Sequence, residues 1–302
     1  MEIPFTMENL WWIRQYPFSH KPNCDTLNEY DAVIKEMAFL KDNGGGTVVD
    51  TTVYGQKRDV RRLADVSKQT GIQVVSGTGF YVETSDAPHL IEGKLEQLTE
   101  IILNDIQNGA DGTNIKCGLI GEVGCSWPLK DSEKKSLRAT AMAQSQAGCP
   151  VTIHPSANTS APKEIVRLLG EAGCDLSKVT MAHLDRTFCT KEEFLEFAES
   201  TSCYLELDLF GNELSYYPFA DFDSPSDAQR IKWVKLLVDE GYSDRILISH
   251  DAGTRHRLMK YGGHGYSHIY RNVLPKMKLR GIGDDVIDMI CTRNPQQFLT
   301  FK

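Results

Sequence analysis

Seven short apolar runs, each followed by an amphipathic segment, constrain the fold of this chain more than any other feature of its sequence. Most of these runs are too apolar for a strand that is wet on one face, which favours a parallel sheet buried on both faces. The intervening segments are helix-periodic, and several end on a glycine, a frequent helix stop. One of them is expected to begin with Ser132 as its cap and to end at Gly148. This repeat predicts βα units joined by right-handed crossovers. We assign strands to residues 46–52, 72–81, 118–124, 150–155, 179–184, 203–210 and 245–251.

The spacing of the strand ends separates two α/β architectures. Glu122 and His154 are 32 positions apart, His154 and His183 are 29 apart, and His183 to Asp251 spans 68, which fits two further units. Such even spacing is typical of a TIM-type (β/α)8 barrel. A doubly wound sheet also allows it, but a nucleotide-binding one carries a Gly-rich fingerprint after its first strand. The glycine triplet at 44–46 precedes a strand instead, so we predict a barrel.

The predicted strands number seven, whereas a closed barrel of this type needs eight. The first 44 residues contain an aromatic cluster at Leu10, Trp11 and Trp12 and a helix-like segment, but no run that reads as a parallel strand. Either one strand is irregular or the N-terminal βα unit is missing. We therefore expect residues 1–302 to form a single barrel domain without its first strand.

Composition and charge argue against several classes of partner. The formal net charge of −8 disfavours a non-specific surface for nucleic acid or anionic membranes. No apolar run approaches the roughly 18 to 20 residues of a membrane helix, and the N-terminus lacks a signal-peptide pattern. The eight cysteines form no C-x-x-C pair, which is typical of reduced thiols in the cytosol. We expect a cytosolic protein that acts on a small molecule, with homo-oligomerisation left open.

Four polar residues stand at the ends of four predicted strands. They are Glu122, His154, His183 and Asp251. Active sites of these barrels gather at the carboxyl ends of the strands, and imidazole with carboxylate suits Zn²⁺ or a similar divalent ion. A single such histidine is more often a hydrogen-bonded core residue, and Asp251 alone could be a helix cap. Their shared position at the strand ends favours a metal site.

A metal at these residues would define the chemistry. A divalent ion lowers the pKa of a bound water from about 15.7 towards 7 and polarises a carbonyl oxygen. Asp251 is our candidate catalytic residue, because it can take the proton of the water and pass it to the leaving group. The pattern thus predicts metal-assisted hydrolysis.

Several motifs resemble the phosphotriesterase-related proteins of the amidohydrolase superfamily, and the resemblance runs through residues 5–302 in order. The motifs are IKCGLIGEVGCSWPL, PVTIHP, MAHLDRT, ILISHD, KYGGHGYSH and the terminal NPQQFLTFK. The resemblance implies a (β/α)8 barrel with two divalent cations, of which zinc is expected and manganese or cobalt are alternatives. It implies that Glu122 bridges the cations, that His154 and His183 bind one of them, and that Asp251 binds the other.

The resemblance also implies an activity, the hydrolysis of N-acetylated amino compounds such as N-acetyltaurine. Related bacterial enzymes act on phosphotriesters or lactones, and these remain an alternative, because all such reactions use a metal-activated hydroxide. In this family a His-x-His pair ends the first strand, and the sequence contains none. His20 lies in a segment that the resemblance places after that strand. A truncated, non-catalytic isoform is therefore a third possibility.

Six further residues are weaker candidates. Lys116 could be a bridging or Schiff-base lysine, but it lies at the start of its strand, the wrong end of a barrel. His250 adjoins Asp251 but should point to the opposite face. Loops that follow barrel strands often contact substrate, and Arg186 could bind an anionic group. The candidate substrate contacts are Tyr81, Arg186, His264 and Tyr266.

Overall fold

Seven parallel strands form one sheet in this computed structural model, which describes residues 3–25, 29–85, 92–217 and 224–301. Each strand lies within a run predicted from the sequence, so the predicted strand positions and the α/β fold are confirmed. The hydrogen-bonded ladder is usually shorter than the apolar run. The strands are β1 Thr47–Asp50, β2 Gln73–Thr78, β3 Leu119–Gly124, β4 Val151–His154, β5 Val179–Met181, β6 Tyr204–Leu207 and β7 Ile246–Ile248.

The strands follow one another in the sheet in the order of the sequence. Each strand pairs in parallel with the next, with Val48 opposite Val74 and Ile153 opposite Met181. Parallel neighbours require a crossover connection, which is why a helix or loop follows each strand. Within the described residues no pairing joins β1 to β7. The sheet therefore has two free edges, in agreement with the seven strands counted in the sequence.

Helices occupy most of the connections. Their bounds are α1 Met7–Gln15, α2 Lys21–Cys24, α3 Tyr30–Asp42, α4 Val60–Thr70, α5 Leu95–Gln107, α6 Asp131–Ala147, α7 Ala161–Glu171, α8 Leu184–Thr187, α9 Lys191–Ser200, α10 Asp227–Asp239, α11 Leu274–Leu279, α12 Asp284–Asp288 and α13 Asn294–Leu299. In α5 the apolar stripe faces the core, because Leu98, Ile102 and Ile106 are buried. None of the helices in the described part of the chain is long and apolar enough to cross a membrane.

The ends of α6 show which local signals were informative. The helix stops at Gly148, which has φ +67°, a conformation that glycine adopts without a Cβ penalty. Its start is different from the sequence-based expectation of a Ser132 cap. The helix begins at Asp131, and the Ser132 hydroxyl donates instead to the carboxylate of Glu83. The Ser132 hydroxyl therefore makes a tertiary contact and does not cap the helix.

The N-terminal segment packs against the loop that follows β7. Asn23 in α2 accepts a hydrogen bond from the backbone N–H of His256 at 2.8 Å. The buried Glu29 forms ion pairs with Arg255 at 3.0 Å and with Lys260 at 2.8 Å. These contacts join residues more than 200 positions apart in sequence, so no local pattern predicts them.

A cavity of about 990 Å³ runs from the carboxyl ends of the strands to the space between β1 and β7. Polar residues of the strand ends line one part of it. Apolar residues such as Val48, Leu247 and Phe298 line another. The fold therefore brings the four predicted ligands into one cavity beside the free edges of the sheet.

Candidate metal centre

Three of the four predicted ligands converge at the carboxyl ends of adjacent strands. Glu122 lies in β3, His154 ends β4 and His183 follows β5 by two residues. Nδ1 of His154 lies 2.6 Å from Oε1 of Glu122 and 2.7 Å from Nε2 of His183. Nε2 of His183 lies 4.0 Å from the same Glu122 oxygen. One carboxylate oxygen and two imidazole nitrogens thus share one small space.

Local backbone features aim Glu122 at this space. The register of β3 against β4 shifts between Ile120 and Val123, and such an irregularity turns a side chain away from the regular alternation. Gly121 has φ +129°, and a Cβ there would lie 2.3 Å from the carbonyl oxygen of Thr152. Only glycine fits this close approach. The GEVG sequence is thus what allows the carboxylate to reach the histidines.

The electrostatics of the three groups favour a bound cation. Burial alone would raise the pKa of Glu122, but His154 and His183 hold it well below its ordinary value, so Glu122 is ionised. Burial lowers the pKa of His154 to about 4, against the opposing pull of Glu122, so His154 is a neutral imidazole. Burial also acts to lower the pKa of His183, but the Asp208 carboxylate raises it well above 6.5. A metal bound at Nε2 would replace that proton.

The separations of the donor atoms fit a first-row divalent ion. Zinc bonds of about 2.0 to 2.2 Å in a tetrahedral arrangement place neighbouring donors roughly 3.3 Å apart. The observed separations of 2.6, 2.7 and 4.0 Å lie on both sides of this value. Two imidazoles and a carboxylate are also a donor set that zinc and similar first-row divalent ions prefer.

Asp251 faces the same cavity from the far edge of the sheet. It follows β7 by three residues and is exposed to the cavity rather than grouped with the three converging ligands. Desolvation deep in the cavity raises its pKa to about 6, with the positive charge of His183 opposing this shift and the negative charge of Glu122 reinforcing it. Asp251 has φ +48° and His183 has φ +57°. Strained non-glycine residues of this kind cluster at functional sites.

Two of the predicted substrate contacts lie beside the cluster. The hydroxyl of Tyr81 is 3.3 Å from Nε2 of His154, and burial raises the pKa of Tyr81 well above 10, so it is a neutral phenol. Arg186 is buried, donates to the carbonyl of Pro155 at 2.9 Å and lies 3.4 Å from Nε2 of His154. Both side chains line the cavity.

The other candidates are placed differently. His264 is exposed, stacks on His268 with ring centroids 4.1 Å apart and does not line this cavity. Tyr266 lines the cavity but packs with the apolar cluster around Met37. The structure therefore brings neither residue to the three converging ligands.

Lys116 and His250 also lie away from the cluster. Lys116 is exposed and precedes the first residue of β3, far from the ligands at the carboxyl end. His250 accepts a hydrogen bond from the N–H of Ile269 at 3.3 Å. Both placements agree with the expectation that neither residue is a ligand.

One residue beside the cluster was missed in the sequence. Asp208 is buried directly after β6 and lies 2.8 Å from Nδ1 of His183. The strand-end rule that selected the other four residues applies equally to the aspartate in CYLELDLF.

The fold and the site together define a class of protein. The sequence matches the model of the Phosphotriesterase family over residues 3–299, so the chain belongs to that family. Among curated proteins, it is 54% identical over 300 residues to the N-acetyltaurine hydrolase of Bos taurus, a match that covers 99% of this chain and 86% of the relative. The resemblance seen in the sequence motifs is confirmed.

Solved structures give the same assignment. A resiniferatoxin-binding protein from Rhodobacter sphaeroides superposes with a TM-score of 0.94 at 31% identity, covering 99% of this chain and 82% of the other. The phosphotriesterase homology protein of Escherichia coli, solved with phosphate in its active site, superposes with a TM-score of 0.85 at 30% identity, covering 94% of each chain. The barrel architecture expected from the strand spacing is thus shared with family members.

Proposed function

We propose that this protein is a metal-dependent hydrolase of small N-acetylated amino compounds, with N-acetyltaurine as the substrate to test first. The observation that carries the proposal is the convergence of Glu122, His154 and His183 within the cavity. The name of the bovine relative supports the choice of substrate. The eight free cysteines support a reducing compartment such as the cytosol.

The metal complement follows from the donors. We propose that Glu122, His154 and His183 hold one divalent cation, zinc by preference, and that Glu122 and Asp251 contribute to a second. The described residues offer the second cation two carboxylates and no imidazole, so we expect it to bind more weakly than the first. When bound, such an ion lowers the pKa of water towards 7 and polarises the carbonyl of the substrate.

Asp251 has the properties required of a proton carrier. In the proposed reaction the water oxygen forms a bond to the acetyl carbon and the bond from carbon to nitrogen breaks. Asp251 accepts the proton that the water loses and donates it to the departing nitrogen, so that acetate and an amine leave. A pKa of about 6 for its carboxyl lies close to neutrality, as a group that must both accept and donate a proton requires.

Tyr81 and Arg186 are placed to orient the substrate. N-acetyltaurine carries a sulfonate, and a guanidinium forms strong, directional hydrogen bonds with such anions. Arg186 is buried beside His154, where the low dielectric strengthens a charge pair. The neutral phenol of Tyr81 can donate to the amide oxygen. We propose these two residues as substrate contacts.

The test is a turnover assay of the purified protein with N-acetyltaurine in added Zn²⁺ or Mn²⁺. We expect release of acetate that depends on metal. His154→Asn should lower the rate by more than about 100-fold, since loss of an outer-shell partner alone costs 10- to 100-fold. Lys116→Met, which changes an exposed residue away from the cluster, is the matched control and should keep the rate.

Other outcomes would redirect the proposal. Faster hydrolysis of a lactone or a phosphotriester than of N-acetyltaurine would keep the metal centre and overturn the substrate. Tight metal binding with no hydrolysis of any of the three would support the non-catalytic alternative. Whether the protein forms a homo-oligomer, which the sequence left open, is to be measured by light scattering in the same preparations.

A further inference from the structure

We propose that Asp208 is a positioning residue that fixes the ring of His183 so that Nε2 points at the metal. The inference rests on the proposed metal site but concerns a residue outside the ligand set. Asp208 is buried, and the hydrogen bonds of its side chain within the described part of the chain go to His183, not to Glu122 or His154. Its role would therefore be exerted through that histidine.

Two hydrogen bonds connect Asp208 to His183. Oδ1 of Asp208 accepts from Nδ1 of His183 at 2.8 Å and from its backbone N–H at 3.1 Å. The oxygen that accepts from the backbone N–H also faces the ring, so it accepts there too and the proton of that bond lies on Nδ1. The lone pair of a neutral ring is then on Nε2, the nitrogen that faces His154 at 2.7 Å. One carboxylate oxygen thus sets both the tautomer and the direction of the ring.

The backbone of His183 needs such an anchor. With φ +57° the residue adopts a left-handed conformation that a side chain disfavours. It persists only where surrounding contacts hold it. The hydrogen bond from its N–H to Asp208 is one of these contacts, and it ties the loop after β5 to the end of β6.

A second carboxylate makes the reciprocal connection between the same two loops. Oδ2 of Asp185 accepts from the backbone N–H of Leu209 at 3.1 Å and pairs with the fully buried Arg230 at 2.6 Å. Each loop therefore supplies a carboxylate that binds a backbone N–H of the other. This arrangement gives Asp208 little freedom to move, which a positioning residue requires.

The experiment compares Zn²⁺ affinity in Asp208→Ala, Asp208→Asn and the unaltered protein by competition with a chromogenic chelator. We expect Asp208→Ala to weaken binding 10- to 100-fold, as loss of an outer-shell partner does. Asp208→Asn should lie between, because its amide oxygen can still accept both hydrogen bonds but carries no negative charge to strengthen them. The Asn variant also keeps the test possible if the Ala variant does not fold.

Asp227→Asn is the matched control. Asp227 is half-buried, lies 2.6 Å from Nε2 of the buried His268 and also pairs with Arg230 at 3.1 Å. The substitution therefore weakens a second Asp–His pair without touching the metal ligands. It should change Zn²⁺ affinity less than about 3-fold, well under the effect expected of an outer-shell partner. Equal losses in the Asp208 and Asp227 variants would mean a general structural effect and would overturn the positioning role.

A second readout does not depend on metal. In the metal-free protein, the Nδ1–H proton of His183 should give a slowly exchanging imidazole resonance, assigned by its absence in His183→Asn. Asp208→Ala should remove it and Asp227→Asn should retain it. If the unaltered protein binds no Zn²⁺, the proposed function fails. The resonance still shows whether Asp208 holds the Nδ1–H proton of His183. If the resonance survives in Asp208→Ala, or Zn²⁺ affinity is unchanged, the positioning role is wrong.

Discussion

At the scale of single residues, the convergence of three polar side chains was predictable from chemistry and position. Glu122, His154 and His183 were identified because they end parallel strands, and parallel strands end at one edge of a sheet. Two features could not be read from the sequence. The left-handed backbone of His183 and Asp251 depends on loop packing, and the contact between Asp208 and His183 joins two separate loops.

The role of Glu122 can be distinguished from that of Lys116 by substitution. Glu122→Gln removes the negative charge that faces both histidines. The amount of bound metal should therefore fall by more than about 10-fold, the smallest effect expected when an outer-shell partner is lost. Lys116→Met should leave metal content nearly unchanged. Elemental analysis of the two purified variants provides the comparison. The reverse ranking would identify the lysine as the bridging group.

At the scale of secondary-structure elements, the strands were predictable and the docking of the N-terminal helices was not. The apolar runs located the strands because a strand buried on both faces has a continuous apolar sequence. The Ser132 cap was wrong, since the hydroxyl bonds Glu83 instead. Contacts such as Asn23 with His256 depend on the assembled fold, which short-range patterns do not encode.

The docking of α2 should make stability depend on pH. Burial, followed by the charges of Arg257 and Arg14, lowers the pKa of His256 to about 3. The unfolded chain therefore binds a proton near pH 6.5 that the folded state does not, and stability falls as pH drops below 6.5. Between pH 7.5 and 5.5 this residue should account for a loss of about 1.4 kcal/mol.

Urea unfolding of His256→Asn at both pH values measures this contribution. The variant should lose about 1.4 kcal/mol less than the unaltered protein over the interval, whatever its stability at pH 7.5. Other buried histidines such as His250, whose pKa burial lowers to about 3, remain in both proteins and cancel. An identical loss in the two proteins would show that His256 is protonated in the folded state.

At the scale of the whole molecule, the central strands have two partners each and the outer strands have one. In the described structure β1 pairs only with β2 and β7 only with β6. Backbone hydrogen exchange reports local opening, so protection should be greatest in β3 to β5 and lowest in β1 and β7. Exchange measured by mass spectrometry on peptides covering each strand tests this. Uniform protection would mean that another element pairs with the two edges.

Because β7 is an edge strand, Asp251 and the three converging ligands should differ in local stability. The converging ligands stand on the central strands β3 to β5, whereas Asp251 follows an outer strand. Low concentrations of urea that release β7 should therefore abolish hydrolysis while the Zn²⁺ held by Glu122, His154 and His183 stays bound. We expect the midpoint for loss of activity to precede the midpoint for metal release. Coincident midpoints would show that the sheet opens as a single unit. Separate midpoints would show that the molecule can lose its proton carrier and still keep the cation at the three converging ligands.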